Sequence, residues 1–240
     1  MSTQHAKKEL LELVTKHILQ RFPDKFNLVQ NSNGQQGIQT VFGDIVWLDS
    51  QNDPLLIISE LVQEDWCILE KNEEENYILS AGVLCFPMGW SLHRKFNNPL
   101  HVIHKPVKDF EKQLRTNVES IFEELQPHAP LWRANWVISN TLKGSLDLYS
   151  PVSHRHVDEN RISQYDSNTG DELVLRVEYQ TLLRLPQSNA IVFGIRTYQR
   201  PLSEFKHFPI EDSIALIDAI QNTGKDMAEY KGIPQWGNSA

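Results

Sequence analysis

Charged and amide side chains occupy alternate positions of one otherwise apolar stretch in this chain. Within 173–185 these side chains belong to Arg176, Glu178, Gln180 and Arg184. Because successive side chains of a strand point to opposite sides, all four share one face, and the apolar residues between them share the other. A face that carries both signs of charge and an amide can bind a polar ligand when it lines a pocket.

The same stretch is predicted to be the first strand of a β-hairpin. Residues 173–185 and 190–200 are rich in Val, Ile, Leu, Thr and Tyr, and the turn-forming sequence Pro-Gln-Ser-Asn separates them. The simplest register pairs Arg184 with Ile191, Leu182 with Phe193, Gln180 with Ile195, and Glu178 with Thr197. The resulting face is half apolar and half polar. This mixture favours a pocket wall, and the alternative is a solvated face with cross-strand ion pairs.

Gly194 and Arg196 fall on the opposite face of this hairpin. Gly194 lies across from Thr181, and a glycine inside a strand often marks a bulge or a close approach by backbone or ligand. Arg196 is separated from Arg176 and Arg184 unless a bulge changes the register.

A few histidines and one cysteine have side chains that can bind a metal. His104 ends an apolar segment shortly before a proline, where a histidine can be an axial haem ligand, a general base or a hydrogen-bonded core residue. His154 and His156 are spaced to share one side of a strand, but no third ligand stands at a recognisable spacing. Cys85 is either a thiolate ligand or a buried structural thiol, and we favour the second interpretation.

The periodicity of the apolar residues predicts an α+β domain. Its helices and strands would bring the candidate residues together. Apolar residues at helical spacing predict helices over 7–22, after a cap at Asp53, over 110–125 and over 211–222. Segments 65–71 and 77–86 are predicted to form a first hairpin, and 131–139 a further strand. No regular alternation of strands and helices occurs, which favours an antiparallel sheet with helices packed around it.

Composition limits the partners and the compartment. The chain has 240 residues, 23 basic and 31 acidic, and a net charge of −8 without a basic block interleaved with aromatics. We therefore expect neither nucleic acid nor an anionic membrane as a partner. No apolar run approaches the roughly 18 residues of a membrane span, and no signal-peptide core is present. With two cysteines and no zinc spacing, we expect one cytoplasmic domain.

Seven short motifs resemble those of one protein family. In chain order they are VQEDWCILEK (62–71), GVLCFPMGW (82–90), IHKPV (103–107), WRANW (132–136), LRVEYQTLLRLP (175–186), GIRTYQRPLSE (194–204) and YKGI (230–233). With these motifs in family order, the chain resembles the haem-dependent oxidative N-demethylases, and in particular their haem-binding alpha subunit. Two departures are a shorter region before Leu10 and Tyr179 where an arginine is expected.

The resemblance implies a PAS-like haem domain with an oxidoreductase activity. A b-type haem would bind O2 and act as a monooxygenase, converting a small secondary alkylamine such as dimethylamine to the amine and formaldehyde. Electrons would come from a separate flavin and iron–sulfur reductase. The single domain would comprise a helical part at 1–60, a PAS-like core at 61–205 and a C-terminal helix at 206–240. The alternative is a non-catalytic PAS-like module that senses or binds haem or a small ligand.

The resemblance also implies roles for particular residues. His104 would be the axial ligand of the haem iron. The arginines that would pair with the haem propionates are Arg133, Arg176, Arg184 and Arg196. The polar residues that would hold oxygen or a cationic amine on the distal side are Glu178, Gln180 and Thr197.

Overall fold

The computed structural model describes residues 3–48, 51–87, 90–105, 115–139, 173–231 and 233. The helices among them are α1 (Thr3–Arg21), α2 (Pro54–Leu61), α3 (Leu92–Lys95), α4 (Leu100–Ile103), α5 (Arg115–Glu124), α6 (Ile210–Gln221) and α7 (Lys225–Lys231). The strands are β1 (Phe26–Gln30), β2 (Gln36–Thr40), β3 (Ile45–Trp47), β4 (Asp65–Lys71), β5 (Tyr77–Val83), β6 (Leu131–Ser139), β7 (Val174–Arg184) and β8 (Ile191–Pro201). A 3-10 helix covers Leu202–His207.

Two antiparallel sheets organise these elements. Strands β1, β2 and β3 form a small sheet, and the larger sheet has the order β5-β4-β8-β7-β6. The predicted α+β class and antiparallel sheet are confirmed. The prediction of a helical N-terminal part is incomplete, because the small sheet lies between α1 and α2. Its strands have only three to five residues, too few for alternation to stand out in the sequence.

The hairpin of β7 and β8 has the register that the alternating pattern predicts. All four predicted cross-strand pairs are present, and Gly194 lies opposite Thr181. The loop closes through a hydrogen bond of 2.9 Å from the Leu185 N–H to the Ala190 carbonyl, and Asn189 has a φ of 62°, which asparagine tolerates. A slip by one residue would exchange the two faces of the strand, so burial of one set of side chains fixes this register.

Helices α1 and α2 pack on one face of the large sheet. Their buried residues Leu10 and Ile58 share a core with Val192 of β8. The predicted cap of α2 is confirmed, because the Asp53 carboxylate accepts a hydrogen bond of 2.9 Å from the Leu55 N–H. At the far end of this face, the C-terminal helices contribute Ile220 to a smaller cluster with residues of β6 and β7.

Helices α4 and α5 cover one end of the opposite face. Leu100, Phe122 and Leu125 pack there against Tyr77 and Ile191. The rest of this face, on β6, β7 and β8, carries the row of mixed polarity. The predicted helix over 110–125 is confirmed from 115 to 124, whereas 106–114 and both histidines of the 154–156 pair lie outside the described residues. No helix in the described ranges is long and apolar enough to cross a membrane.

The close approach at Gly194 generates a first prediction. A Cβ at this position would lie 2.8 Å from the Thr181 hydroxyl oxygen and 2.8 Å from the Trp66 ring. We expect Gly194→Ala to lower the free energy of unfolding by about 1–3 kcal/mol through overpacking, measured by urea denaturation followed by circular dichroism.

Gly224 provides the matched control for this substitution. A Cβ there would meet no heavy atom within 4 Å, and the glycine does not adopt a positive φ. Gly224→Ala should therefore change the stability by no more than about 0.5 kcal/mol. Equal effects of the two substitutions would contradict the close contact.

Candidate functional site

A row of polar side chains on β7 and β8 is buried in the folded protein. Arg176, Glu178, Gln180 and Thr197 are each between 4% and 7% exposed. On the other face of β7, Tyr179 is 38% exposed, so the polar face is the more deeply buried one at this point. The alternative of a solvated face with surface ion pairs is therefore wrong.

Hydrogen bonds join these side chains into one continuous network. The Arg176 guanidinium donates to Glu178 Oε1 from Nε (3.3 Å) and Nη2 (3.1 Å), and Nη2 also donates to the Thr197 hydroxyl (3.1 Å). Gln180 Nε2 donates to Glu178 Oε2 at 2.9 Å. Arg133 Nε, from the neighbouring strand β6, donates to Gln180 Oε1 at 2.7 Å. Each charge that is taken out of water thus has a partner, as burial requires.

Asp65 extends the network to the segment that follows β5. This residue is 1% exposed, and its carboxylate accepts hydrogen bonds from the Cys85 N–H (2.6 Å) and the Phe86 N–H (3.0 Å). The Phe86 carbonyl accepts in turn from Arg176 Nη2. Asp65 and Arg176 therefore hold this segment from two sides. The sequence offered one unused signal, an acidic residue at the start of the otherwise apolar segment DWCIL.

Burial raises the pKa of the Asp65 carboxyl above its ordinary value of 3.8. The two backbone N–H donors and the positive charge of Arg176 oppose this shift, and the negative charge of Glu178 adds to it. Desolvation is the largest of these effects, so the folded protein binds a proton at Asp65 more tightly than the unfolded chain does.

His104 lies at the C-terminal end of α4 with its ring oriented by the backbone. Its Nδ1 is 2.9 Å from the Leu100 carbonyl oxygen. Because a carbonyl only accepts, Nδ1 carries the proton and the lone pair of the neutral ring is on Nε2. Burial lowers the His104 pKa, the hydrogen bond to the Leu100 carbonyl opposes this shift, and the positive charges of Lys95 and Arg133 add to it. The ring is therefore neutral at pH 7, and the Arg133 charge acts on both His104 and the network.

The structure separates two of the predicted arginines from this network. Arg184 donates to the carbonyls of Leu125 (2.8 Å) and Phe122 at the end of α5 and to the Asn189 side chain (2.8 Å). It thus joins the helix to the hairpin loop. Arg196 lies on the opposite face, as its position in the strand predicts, and pairs with Glu64 at 3.0 Å.

The two cysteines lie in different environments. Cys67 is buried, and desolvation raises the pKa of its thiol to about 12. Cys85 is exposed, so the prediction that it is a buried structural thiol is wrong. Partial desolvation still raises the pKa of the Cys85 thiol, which disfavours the thiolate form of a metal ligand. The described residues contain no group of three His, Cys, Asp or Glu side chains that could hold a metal ion.

A cleft of about 530 Å³ lies elsewhere, along the outer edge of β5. Its lining is mostly apolar and includes Lys7, Asp53 and His93. Lys7 and Asp53 already form an ion pair of 2.5 Å with each other. None of the predicted site residues lines this cleft, so it does not define the candidate site.

A comparison with family models covers the whole chain. A family model described as "Haem-dependent oxidative N-demethylase, alpha subunit-like" matches residues 1–240, the whole chain. The family resemblance inferred from the seven motifs is confirmed.

The buried ion pair generates a second prediction. Glu178→Gln removes the counter-charge to which the Arg176 guanidinium is hydrogen-bonded, at a site that is 5% exposed. We expect a loss of about 3–5 kcal/mol in the free energy of unfolding, measured by urea denaturation.

The pair of Arg200 and Glu204 is the matched control, because its atoms are 2.9 Å apart and its side chains are 60% and 44% exposed. Glu204→Gln should cost no more than about 1 kcal/mol. A loss of similar size in the two variants would show that solvent reaches the buried pair.

The raised pKa of Asp65 generates a third prediction. Tighter proton binding in the folded state stabilises the protein. This stabilisation is fully present below pH 3.8, the ordinary pKa of the carboxyl, and is lost as the pH rises through the pKa of the folded state. We therefore expect the stability of the native protein, relative to Asp65→Asn, to fall as the pH rises from about 3.5 to 7. Urea denaturation of both proteins across this range measures the difference. A relative stability that rises with pH would mean that the Asp65 pKa is lowered.

Proposed function

Because this chain belongs to the haem-dependent oxidative N-demethylase, alpha-subunit-like family, we propose that it removes a methyl group from a small secondary amine. In this proposal a b-type haem would be held between the segment that carries His104 and the polar face of β6, β7 and β8. The observation that carries the proposal is the continuous network from Arg176 to Arg133, together with the oriented ring of His104.

The fold supports a PAS-like domain. Its large sheet has five antiparallel strands. When these strands are numbered along the chain from β4, their order across the sheet is 2-1-5-4-3. The helices α3, α4 and α5 lie between the second and third of these strands, and α4 and α5 cover one end of the face that carries the network. A pocket between a sheet and its covering helices is a common place for a cofactor.

The residues at the site fit an iron porphyrin. A ligating histidine usually donates its other ring N–H to a carbonyl, as His104 does to Leu100, and the lowered pKa keeps the ring neutral for ligation. Arg133 donates to Gln180 through Nε, and its planar guanidinium carries further N–H donors of the kind that pair with a propionate. When bound, haem supplies the activation of O2.

The residues of the network would bind and orient the amine. In the part of the chain that the structure describes, Glu178 Oε2 accepts one hydrogen bond, from Gln180, and a carboxylate oxygen can accept a second from a protonated amine. The Thr197 hydroxyl oxygen accepts from Arg176, so its own proton is directed elsewhere and can be donated to a ligand. Because the face is buried, these interactions act in a medium of low dielectric and are stronger than in water.

The overall reaction also requires O2 and an electron donor. The N–methyl carbon is oxidised to formaldehyde, one oxygen atom enters formaldehyde and the other leaves as water. Two electrons and two protons complete the balance, and we propose that the electrons come from a separate flavin and iron–sulfur reductase.

The role of His104 generates a fourth prediction. Protein reconstituted with haem should show a Soret absorption band that His104→Ala shifts or removes, because the substitution deletes the proposed axial ligand. His101→Ala, in the same short helix, is the matched control and should leave the band in place. Failure of the native protein to retain haem under any reconstitution would contradict the proposal.

Turnover distinguishes an enzyme from a binding module. Haem-loaded protein with dimethylamine, O2 and a chemical reductant should release formaldehyde. Glu178→Gln, assayed at a temperature where circular dichroism shows it folded, should raise the KM for the amine by about tenfold or more through the lost charge pair. A haem spectrum that responds to ligands without formaldehyde release would instead indicate a sensor or binding module.

A further inference from the structure

Helix α6 carries an apolar stripe whose side chains are exposed. Ile210, Ile214 and Ile217 are 67%, 51% and 51% exposed. At 3.6 residues per turn, these three side chains lie within an arc of about 60° on one side of the helix. No residue of α6 is fully buried. By contrast, α1 buries seven residues along its inner side.

Few tertiary contacts stabilise helix α6. Leu216 and Ile220 are half-buried, and Ile220 packs on the cluster that includes Ile138 and Leu173. They lie on one side of the exposed stripe, so only part of the apolar face of α6 meets the body. A helix of 12 residues is marginal in water without tertiary packing of its apolar side. A second apolar surface on the stripe would complete that packing.

The charges beside the stripe indicate the chemistry of a partner surface that would pack on it. Glu211 and Asp218 border the isoleucines on the side away from the body, Asp212 lies farther round, and α6 has no basic residue. We propose that the stripe of Ile210, Ile214 and Ile217 is the docking surface for a different polypeptide, one that presents an apolar helix flanked by lysine or arginine. Opposite charges on the two rims would select the partner and fix its register.

The same charges disfavour two other occupants. A second copy of this chain would bring Glu211 and Asp218 close to identical acidic residues, and each chain has a net charge of −8. A helix that lies on an anionic lipid surface carries lysine and arginine on its polar side, whereas α6 carries acids there. This inference does not depend on haem, because the stripe shares no residue with the network around Arg176.

A labelled synthetic helix of leucine and lysine, with its leucines in one stripe, is the probe. Fluorescence anisotropy should show that it binds the full chain, and that the triple variant Ile210→Gln, Ile214→Gln, Ile217→Gln binds at least tenfold more weakly. Glu211→Gln with Asp218→Asn should weaken binding at low salt and have less effect at high salt. Hydrogen exchange should show that the probe protects 210–221.

Two controls accompany the variants. Val41→Gln with Phe42→Gln removes apolar residues that are 63% and 88% exposed elsewhere, and should leave binding unchanged. A peptide with glutamate in place of lysine should not bind. Equal binding by the triple variant, or by the glutamate peptide, would overturn the proposal. The proposal would also be overturned if the native chain formed a dimer in sedimentation, or adsorbed to phosphatidylglycerol vesicles, and the triple variant did not.

Discussion

The buried ion pair of Arg176 and Glu178 is the interaction on which the polar face of the sheet depends. Two charges removed from water cost several kcal/mol each unless hydrogen bonds satisfy what remains of their donors and acceptors. Here the partners come from separate parts of the chain: Thr197 on β8, Phe86 after β5 and Gln180 on β7 itself. The pair is thus satisfied only when β5, β7 and β8 are all in place, which ties the site to the complete fold.

The hydrogen bonds of the network run between two arginines. Arg133 and Arg176 contribute guanidinium groups, which stay protonated at all relevant pH, and Gln180 and Glu178 link them. Guanidinium groups suit the carboxylates of a haem. Burial lowers the pKa of the neighbouring His104 ring, and the positive charges of Lys95 and Arg133 add to this shift, which favours the neutral form that ligates a metal.

The parts of the site that one strand determines could be predicted from the sequence, and the parts that several strands determine could not. Alternation in β7 predicted the shared face of Arg176, Glu178 and Gln180, because successive side chains of a strand point to opposite sides. The four-residue loop then predicted the register with β8. Asp65 was missed because its acceptor role depends on the path of the chain after β5, 20 residues later. Arg184 has the same strand pattern as Arg176, yet α5 covers its end of the face and takes its hydrogen bonds.

Tyr179 shows how the same alternation separates the site from the outer surface. It stands between Glu178 and Gln180, where the family resemblance led us to expect an arginine, yet its side chain leaves the sheet on the opposite side. There it stacks on Trp132, with ring centroids 5.2 Å apart and an interplanar angle of 21°. Trp132 in turn is the strand neighbour of Arg133, which belongs to the network on the inner face. Because each strand alternates, an arginine at 179 would also have pointed outward, so this departure alters the exposed aromatic surface and leaves the charge balance around Glu178 unchanged.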